Sequence, residues 1–222
     1  MNYILSKNEL LRIIGIIFGL FTIILLIVFL FKPEPIIASL VVDFGLFFIV
    51  LLTLIFFLKK KKLSWQDFGF NCVKPKWFFY SFLFIFLVIL LGGELSNLLS
   101  KLIGGESGSL SSNEIISDKN WINILNFKIV IALLVPFAEE VLFRGFLFKY
   151  IRQEKSFLFS AILSSLLFSL IHFDLSSLPF TFLLGFTAAF TYEKGGSLFY
   201  PILIHMGVNN IASTAFLLSA LN

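Results

Sequence analysis

The chain is a succession of apolar runs, each close to the length that crosses a membrane, punctuated by short polar turns. An α-helix rises about 1.5 Å per residue, so roughly 20 apolar residues span about 30 Å of hydrocarbon. Seven such runs are predicted: about Ile13–Phe31, Ile36–Leu58, Trp77–Leu99, Ile122–Tyr150, Phe157–Phe173, Leu178–Tyr192 and Leu198–Leu221. The first is too long for a signal-peptide core and no small-x-small cleavage site follows it at once, so it reads as a retained span. Composition agrees. Of the 222 residues 59% are apolar and 14% charged, whereas soluble domains are about 45–50% apolar and about 25% charged. A water-soluble fold of this size has no interior large enough for that much apolar side chain, and disorder is excluded by the same figures. The predicted fold is all-α: a polytopic transmembrane helix bundle of about seven spans, a single membrane domain over residues 1–222 with no soluble domain, whose constant partner is the lipid bilayer.

Charge placement gives an orientation. The net charge is only +4, and the basic residues stand in short clusters between apolar runs instead of along one face, so no nucleic-acid partner is expected. If the Lys59–Lys62 run is cytoplasmic, alternation puts twelve basic residues on that side: those four with Lys7, Arg12, Lys74, Lys76, Lys149, Arg152, Lys155 and Lys194. Lys32, Lys101, Lys119 and Lys128 fall on the other side or at its edge. The asymmetry places the N-terminus in the cytoplasm and the C-terminus outside, and makes the chain a multi-pass membrane protein. Leu63–Trp77, with Trp65, Phe68 and Phe70, reads as a segment lying along the inner interface. Gly104 to Asn120 reads as a flexible outer loop. A single cysteine, Cys72, excludes a disulfide framework and any cysteine-rich metal site.

Against this apolar background, charges inside a run carry information. Each costs about 2.5–3.5 kcal/mol near the bilayer centre. The fourth run holds three of them, Glu139, Glu140 and Arg144, just after Pro136. At about 100° per residue, Glu140 and Arg144 share a face and can pair, while Glu139 lies about 100° round from Glu140 with no counter-ion in its own helix. An unpaired, desolvated carboxyl is what a general acid or base requires. Glu139 is therefore the candidate for chemistry, and Glu140 with Arg144 the orienting pair. The competing reading is an ion pair that only pins helix packing. A kink at Pro136 is expected to free the Ala132 carbonyl and open space beside the glutamates.

The two histidines extend the pattern. His172 lies at the end of the fifth run with Phe168 four residues before it, and His205 in the seventh run shares a face with Asn209. Each alone is more often a satisfied core residue, but ionisable groups inside a membrane are functional-site candidates by default. Taken in order, Glu139-Glu140-x-x-x-Arg144, Phe168-x-x-x-His172 and His205-x-x-x-Asn209 resemble the CPBP family, the CAAX proteases and bacteriocin-processing (Abi) proteins that include the type II CAAX prenyl endopeptidases. Gly145 after the first motif, and Gly195, Ser197, Leu198 and Pro201-Ile202-Leu203 before His205, are also similar to it. The resemblance covers residues 120–212, the core that carries the three motifs, and leaves 1–119 as generic spans.

The resemblance implies an intramembrane endopeptidase with Glu139, His172, His205 and Asn209 at the catalytic centre and Glu140, Arg144 and Phe168 orienting them. Glu139 with His172 would take a proton from water, and His205 with Asn209 would donate to the oxyanion. The substrate would be a membrane-associated peptide or protein: a bacteriocin or signal-peptide-like precursor, or a CAAX-type protein. Two chemistries stay open. One needs no cofactor; the other uses zinc (Zn) held by Glu139, His172 and His205. The absence of an HExxH arrangement and the poor ligand quality of Asn favour the first. Two other functions are also open: a non-proteolytic bacteriocin-immunity or scaffold protein, and a proton-coupled transporter using the same groups as a relay. Counted from the predicted cytoplasmic ends, Glu139 lies about 15 Å deep, His205 about 12 Å and His172 about 24 Å, so the fifth helix must depart from a straight span. Asp43, Glu94 and Asp174 belong to no motif and are read as structural, edge or loop residues.

Overall fold

A computed structural model describes residues 5–104 and 121–221, apart from the side chains at 35, 36, 39, 122, 123 and 219–221. The predicted loop from Gly104 to Asn120 lies, beyond Gly104, outside the described residues. Every element among the described residues is helical. Helix α1 (Lys7–Phe31) starts at a capping box in which the Ser6 hydroxyl accepts the Glu9 N–H and the Glu9 carboxylate accepts the Ser6 N–H. Helix α2 (Pro35–Lys61) opens with Pro at its first position and ends on three lysines, where cations complement the helix dipole. The two pack side by side, and Lys61 pairs with Glu9, so the start of α1 and the end of α2 meet at one end of the molecule, the basic end.

A short helix, α3 (Trp65–Phe68), follows, capped by Ser64 and Asp67. Two of the three aromatic side chains that the sequence assigns to the interface turn inward instead. Phe68 is fully buried and Phe70 nearly so, packed on Phe57 and Phe146, and only Trp65 stays exposed. The reason is polar as much as apolar. Gly69 turns the chain at φ 133°. The buried Lys149 ammonium takes the Asp67 and Phe68 carbonyls, and the Gly69 carbonyl accepts the Leu198 N–H. The segment is thereby pulled into the bundle as a plug at the basic end. Ser197 donates to the Asn71 carbonyl, and Lys74 N–H donates to the Tyr200 hydroxyl, so the same plug fixes where the last helix begins.

The third rod is α4 (Pro75–Leu87), a π segment (Val88–Gly92) and α5 (Gly93–Ile103). The fourth is α6 (Trp121–Ile129), a π segment (Val130–Leu134), α7 (Val135–Glu140), a second π segment (Val141–Phe148) and α8 (Lys149–Arg152). Helices α9 (Phe157–Leu170), α10 (Leu178–Gly195) and α11 (Phe199–Leu221) complete the bundle. Among the described residues four helices are long and apolar enough to cross a membrane: Lys7–Phe31, Leu40–Lys61, Pro75–Ile103 and Phe199–Leu218. The other three predicted spans are the interrupted fourth rod, α9 and α10. The all-α polytopic bundle is borne out, and the chain is an integral membrane protein.

Helices α9 and α10 pack closely because their facing sides are small: Ser160, Ala161, Ser164, Ser165 and Ser169 against Thr181, Gly185, Ala188 and Ala189. Small residues let backbones approach where no hydrophobic effect drives association, and Thr181 donates to Ser169 across the seam at 2.9 Å. Gly145, beside the motif arginine, has a packing reason. A Cβ there would stand 2.5 Å from the Phe68 ring, which the core holds on all sides. Gly145→Ala is expected to destabilise the fold by about 1–3 kcal/mol, read as a lowered melting temperature of the detergent-purified protein.

Candidate active site

The polar groups of the fourth rod converge with the last helix at one buried point. Glu140 and Arg144 are both fully buried, and Arg144 Nη1 donates to Glu140 Oε1 at 3.0 Å. Arg144 Nη2 donates to the Gly185 carbonyl at 2.8 Å. A Cβ on Gly185 would crowd both that nitrogen and Ser165, so glycine lets α9, α10 and the arginine share one space. The guanidinium lies over the Phe168 ring, 4.8 Å from its centroid, a cation–π contact worth more in a desolvated site than in water.

His205, nearly fully buried on α11, inserts between the two glutamates. Its Nδ1 is 2.8 Å from Glu140 Oε1, and its Nε2 is 3.6 Å from Glu139 Oε2. A carboxylate can only accept, so Nδ1 carries the hydrogen and Nε2 is the atom that faces Glu139. The charges then fix the proton count. With Glu140 and Arg144 cancelling, the buried group is neutral only when one proton resides between Glu139 and His205 Nε2. Burying a net charge is costly, so the neutral arrangement is the one such a site favours.

His172 reaches the same site by a different route. Helix α9 stops at Leu170, three residues short of its predicted end, and the chain turns back. His172 Nδ1 donates to the Phe168 carbonyl at 2.8 Å, which leaves Nε2 as an acceptor on an exposed ring. Phe168 sits edge-on to both imidazoles, with centroids 4.8 Å from His172 and 5.6 Å from His205, and His172 is within electrostatic reach of Glu139. The turn thus absorbs the depth gap that a straight span would have left. Asp174 does not orient His172; it accepts from the Ser176 N–H and hydroxyl.

Asn209 behaves differently from expectation. Pro136 lacks the N–H that would continue the helix. The backbone there is in π register, where each N–H looks back five residues instead of four. The unserved carbonyl is therefore that of Ile131, not Ala132, and Asn209 Nδ2 donates to it at 3.0 Å. One amide hydrogen of Asn209 repairs the helix, and the second is left for another acceptor.

Glu139 lines an apolar cavity of about 210 Å³, together with Ile17 and Phe21 of α1, Leu46 and Val50 of α2, and Ile171 and Phe173 of the α9–α10 turn. Phe173 is 96% exposed, so the cavity lining reaches the surface at the α9–α10 turn. One residue that the motifs did not mark also belongs to this region. Asp43 on α2 is half-buried and within electrostatic range of Glu139. Its place on the Asp43–Leu46–Val50 stripe was the signal available. Glu94 on α5 is exposed.

The comparisons with known proteins point the same way. Residues 121–211 match the family model described as type II CAAX prenyl endopeptidase Rce1-like. The matched segment holds every residue of the three motifs. Curated relatives include "Putative membrane peptidase YdiL" of Bacillus subtilis, 33% identical over 36% of this chain and 33% of its own. The "UPF0177 protein YxdF" of Lactococcus lactis is 32% identical over 41% of this chain and 51% of its own. The "Membrane-embedded CAAX protease MroQ" of Staphylococcus aureus is 30% identical over 54% of this chain and 50% of its own. The matched segments thus span between a third and about half of these relatives' lengths. No solved structure gives a significant match.

The side chains that a zinc ion would use are Glu139, His172 and His205. Both His205 nitrogens face glutamates and His172 Nδ1 is spent on a carbonyl. No group of three or more His, Cys, Asp or Glu side chains among the described residues is arranged to hold a metal ion.

Proposed function

We propose that the chain is an intramembrane endopeptidase, in a bacterial cell membrane with its basic end cytoplasmic, that hydrolyses a peptide bond of a membrane-associated peptide or protein. The observation that carries this reading is His205 held between Glu139 and Glu140 with one proton to exchange. Glu139, helped by the free Nε2 of His172, takes a proton from a water whose oxygen bonds to the scissile carbonyl carbon. Charge develops on the carbonyl oxygen. His205, doubly protonated at the outset while Glu139 is the carboxylate, and the second amide hydrogen of Asn209 donate to it. A donor of this kind is worth about 2.7–4 kcal/mol. When the C–N bond breaks, the proton passes from the Glu139–His205 unit to the leaving amine, and the acid and base roles reset.

The apolar cavity beside Glu139 takes the substrate's apolar side chains. Its apolar lining suits a substrate that arrives through the bilayer, such as a bacteriocin or signal-peptide-like precursor or a CAAX-type protein. The test is direct. The purified chain in proteoliposomes is expected to cut such apolar peptides into two fragments, identified by mass spectrometry. Tight binding with both peptides left whole supports an immunity or scaffold protein instead. Proton flux without cleavage supports a transporter.

A further inference from the structure

Asp43 is an ionisable group that the proposed chemistry does not use. It sits eight residues into α2, inside the apolar part of the chain, where a charge costs about 2.5–3.5 kcal/mol. Leu46 and Val50, three and seven residues further on, share its helical stripe and line the cavity that holds Glu139. Helix α2 is held against α7 there by the Phe47–Phe137 ring contact, centroids 5.7 Å apart. Asp43 therefore stands at one end of the cavity, about one helical turn from its lining.

Among the described residues nothing nearby neutralises it. Arg144 is committed to Glu140 and to Gly185. Among the described residues no lysine or arginine pairs with Asp43, and the carboxylate within its electrostatic range, Glu139, repels it. The rest of the cavity lining is apolar. An acid in this position gains most from a cation delivered by whatever fills the cavity, and a desolvated charge-assisted hydrogen bond of that kind is among the stronger contacts a site can offer.

We propose, resting on the endopeptidase reading, that Asp43 is a specificity-determining residue that selects substrates carrying a positive charge, a lysine or arginine side chain or a terminal ammonium, a few residues from the bond cut at Glu139. The substrate class is accordingly an apolar peptide with a basic residue next to its cleavage point. The cation lies toward the end of the bundle opposite the basic one, because α2 runs from Asp43 past Leu46 toward Lys59–Lys61.

The test uses twin quenched-fluorescent apolar peptides that differ only in lysine against acetyl-lysine, with that position scanned over three residues on each side of the cut. The full chain is reconstituted in phosphatidylethanolamine–phosphatidylglycerol vesicles. At one position the lysine twin is expected to show a kcat/KM about tenfold or more above its twin. Asp43→Asn brings the ratio to about one, and Asp43→Glu, which keeps the charge, keeps the preference. A ratio of one at every position in the parent chain, or a ratio unchanged by Asp43→Asn, overturns the proposal. An equal loss for both twins with a shifted pH profile also overturns it and makes Asp43 a proton carrier. Binding of the twins to Glu139→Gln, read by fluorescence anisotropy, separates this from the endopeptidase reading. Tighter lysine-twin binding that vanishes on adding Asp43→Asn supports the Asp43 site whether or not the parent chain cuts; equal binding of the twins counts against it.

Discussion

Glu139→Gln is expected to lower kcat/KM for peptide cleavage by about a hundred- to ten-thousandfold, the range a positioned general base contributes. The substitution is nearly isosteric, and it removes the one group that can exchange a proton with both water and His205 Nε2. The fold should hardly notice. No hydrogen bond within ordinary range ties Glu139 to the described residues, since its nearest polar contact, His205, is 3.6 Å away. Unfolding free energy should therefore stay within about 0.5 kcal/mol of the parent. Glu139→Asp, which keeps the acid but withdraws it by one methylene, should still lose about a hundredfold, because displacements near 1 Å carry that cost. Retained cleavage by Glu139→Gln would move the water-activating role to another group, with His172 next in line.

How much of this could be seen in the chain alone differs residue by residue, and the differences have physical causes. The Glu140–Arg144 pair was legible because it depends only on the 3.6-residue period of one helix, and the two groups meet at 3.0 Å in the structure. The Pro136 break was legible too, but its register was not. With the π segment ahead of Pro136, the carbonyl in need of a donor moved from Ala132 to Ile131, and Asn209 acquired a structural bond. His172 was marked by its motif, while its depth made sense only once α9 ended early at a turn that no proline announces. Phe68 and Phe70 read as interfacial because their neighbours are polar. Lys149, some 80 residues later, is what draws their backbone inward. Asp43 was set aside because its neighbour Glu139 stands on another helix, and no local spacing rule links the two.

Removing Arg144 is the perturbation that best separates chemistry from packing. Arg144→Met leaves Glu140 fully buried with only His205 against it, and breaking one side of a buried pair costs about 3–5 kcal/mol. The loss should be read as reduced unfolding free energy in mixed micelles. Adding Glu140→Gln removes the stranded charge, and buried pairs replaced by neutral groups of similar volume often lose little or gain. The double variant is thus expected to recover most of the stability. Cleavage should not return with it. Nδ1 of His205 then faces an amide instead of a carboxylate, so nothing holds its hydrogen there or balances the second proton on Nε2. Activity about a hundredfold below the parent in a well-folded double variant shows that the pair orients His205 for reaction. If cleavage recovers in step with stability, the pair serves only to pin the fourth rod against α10.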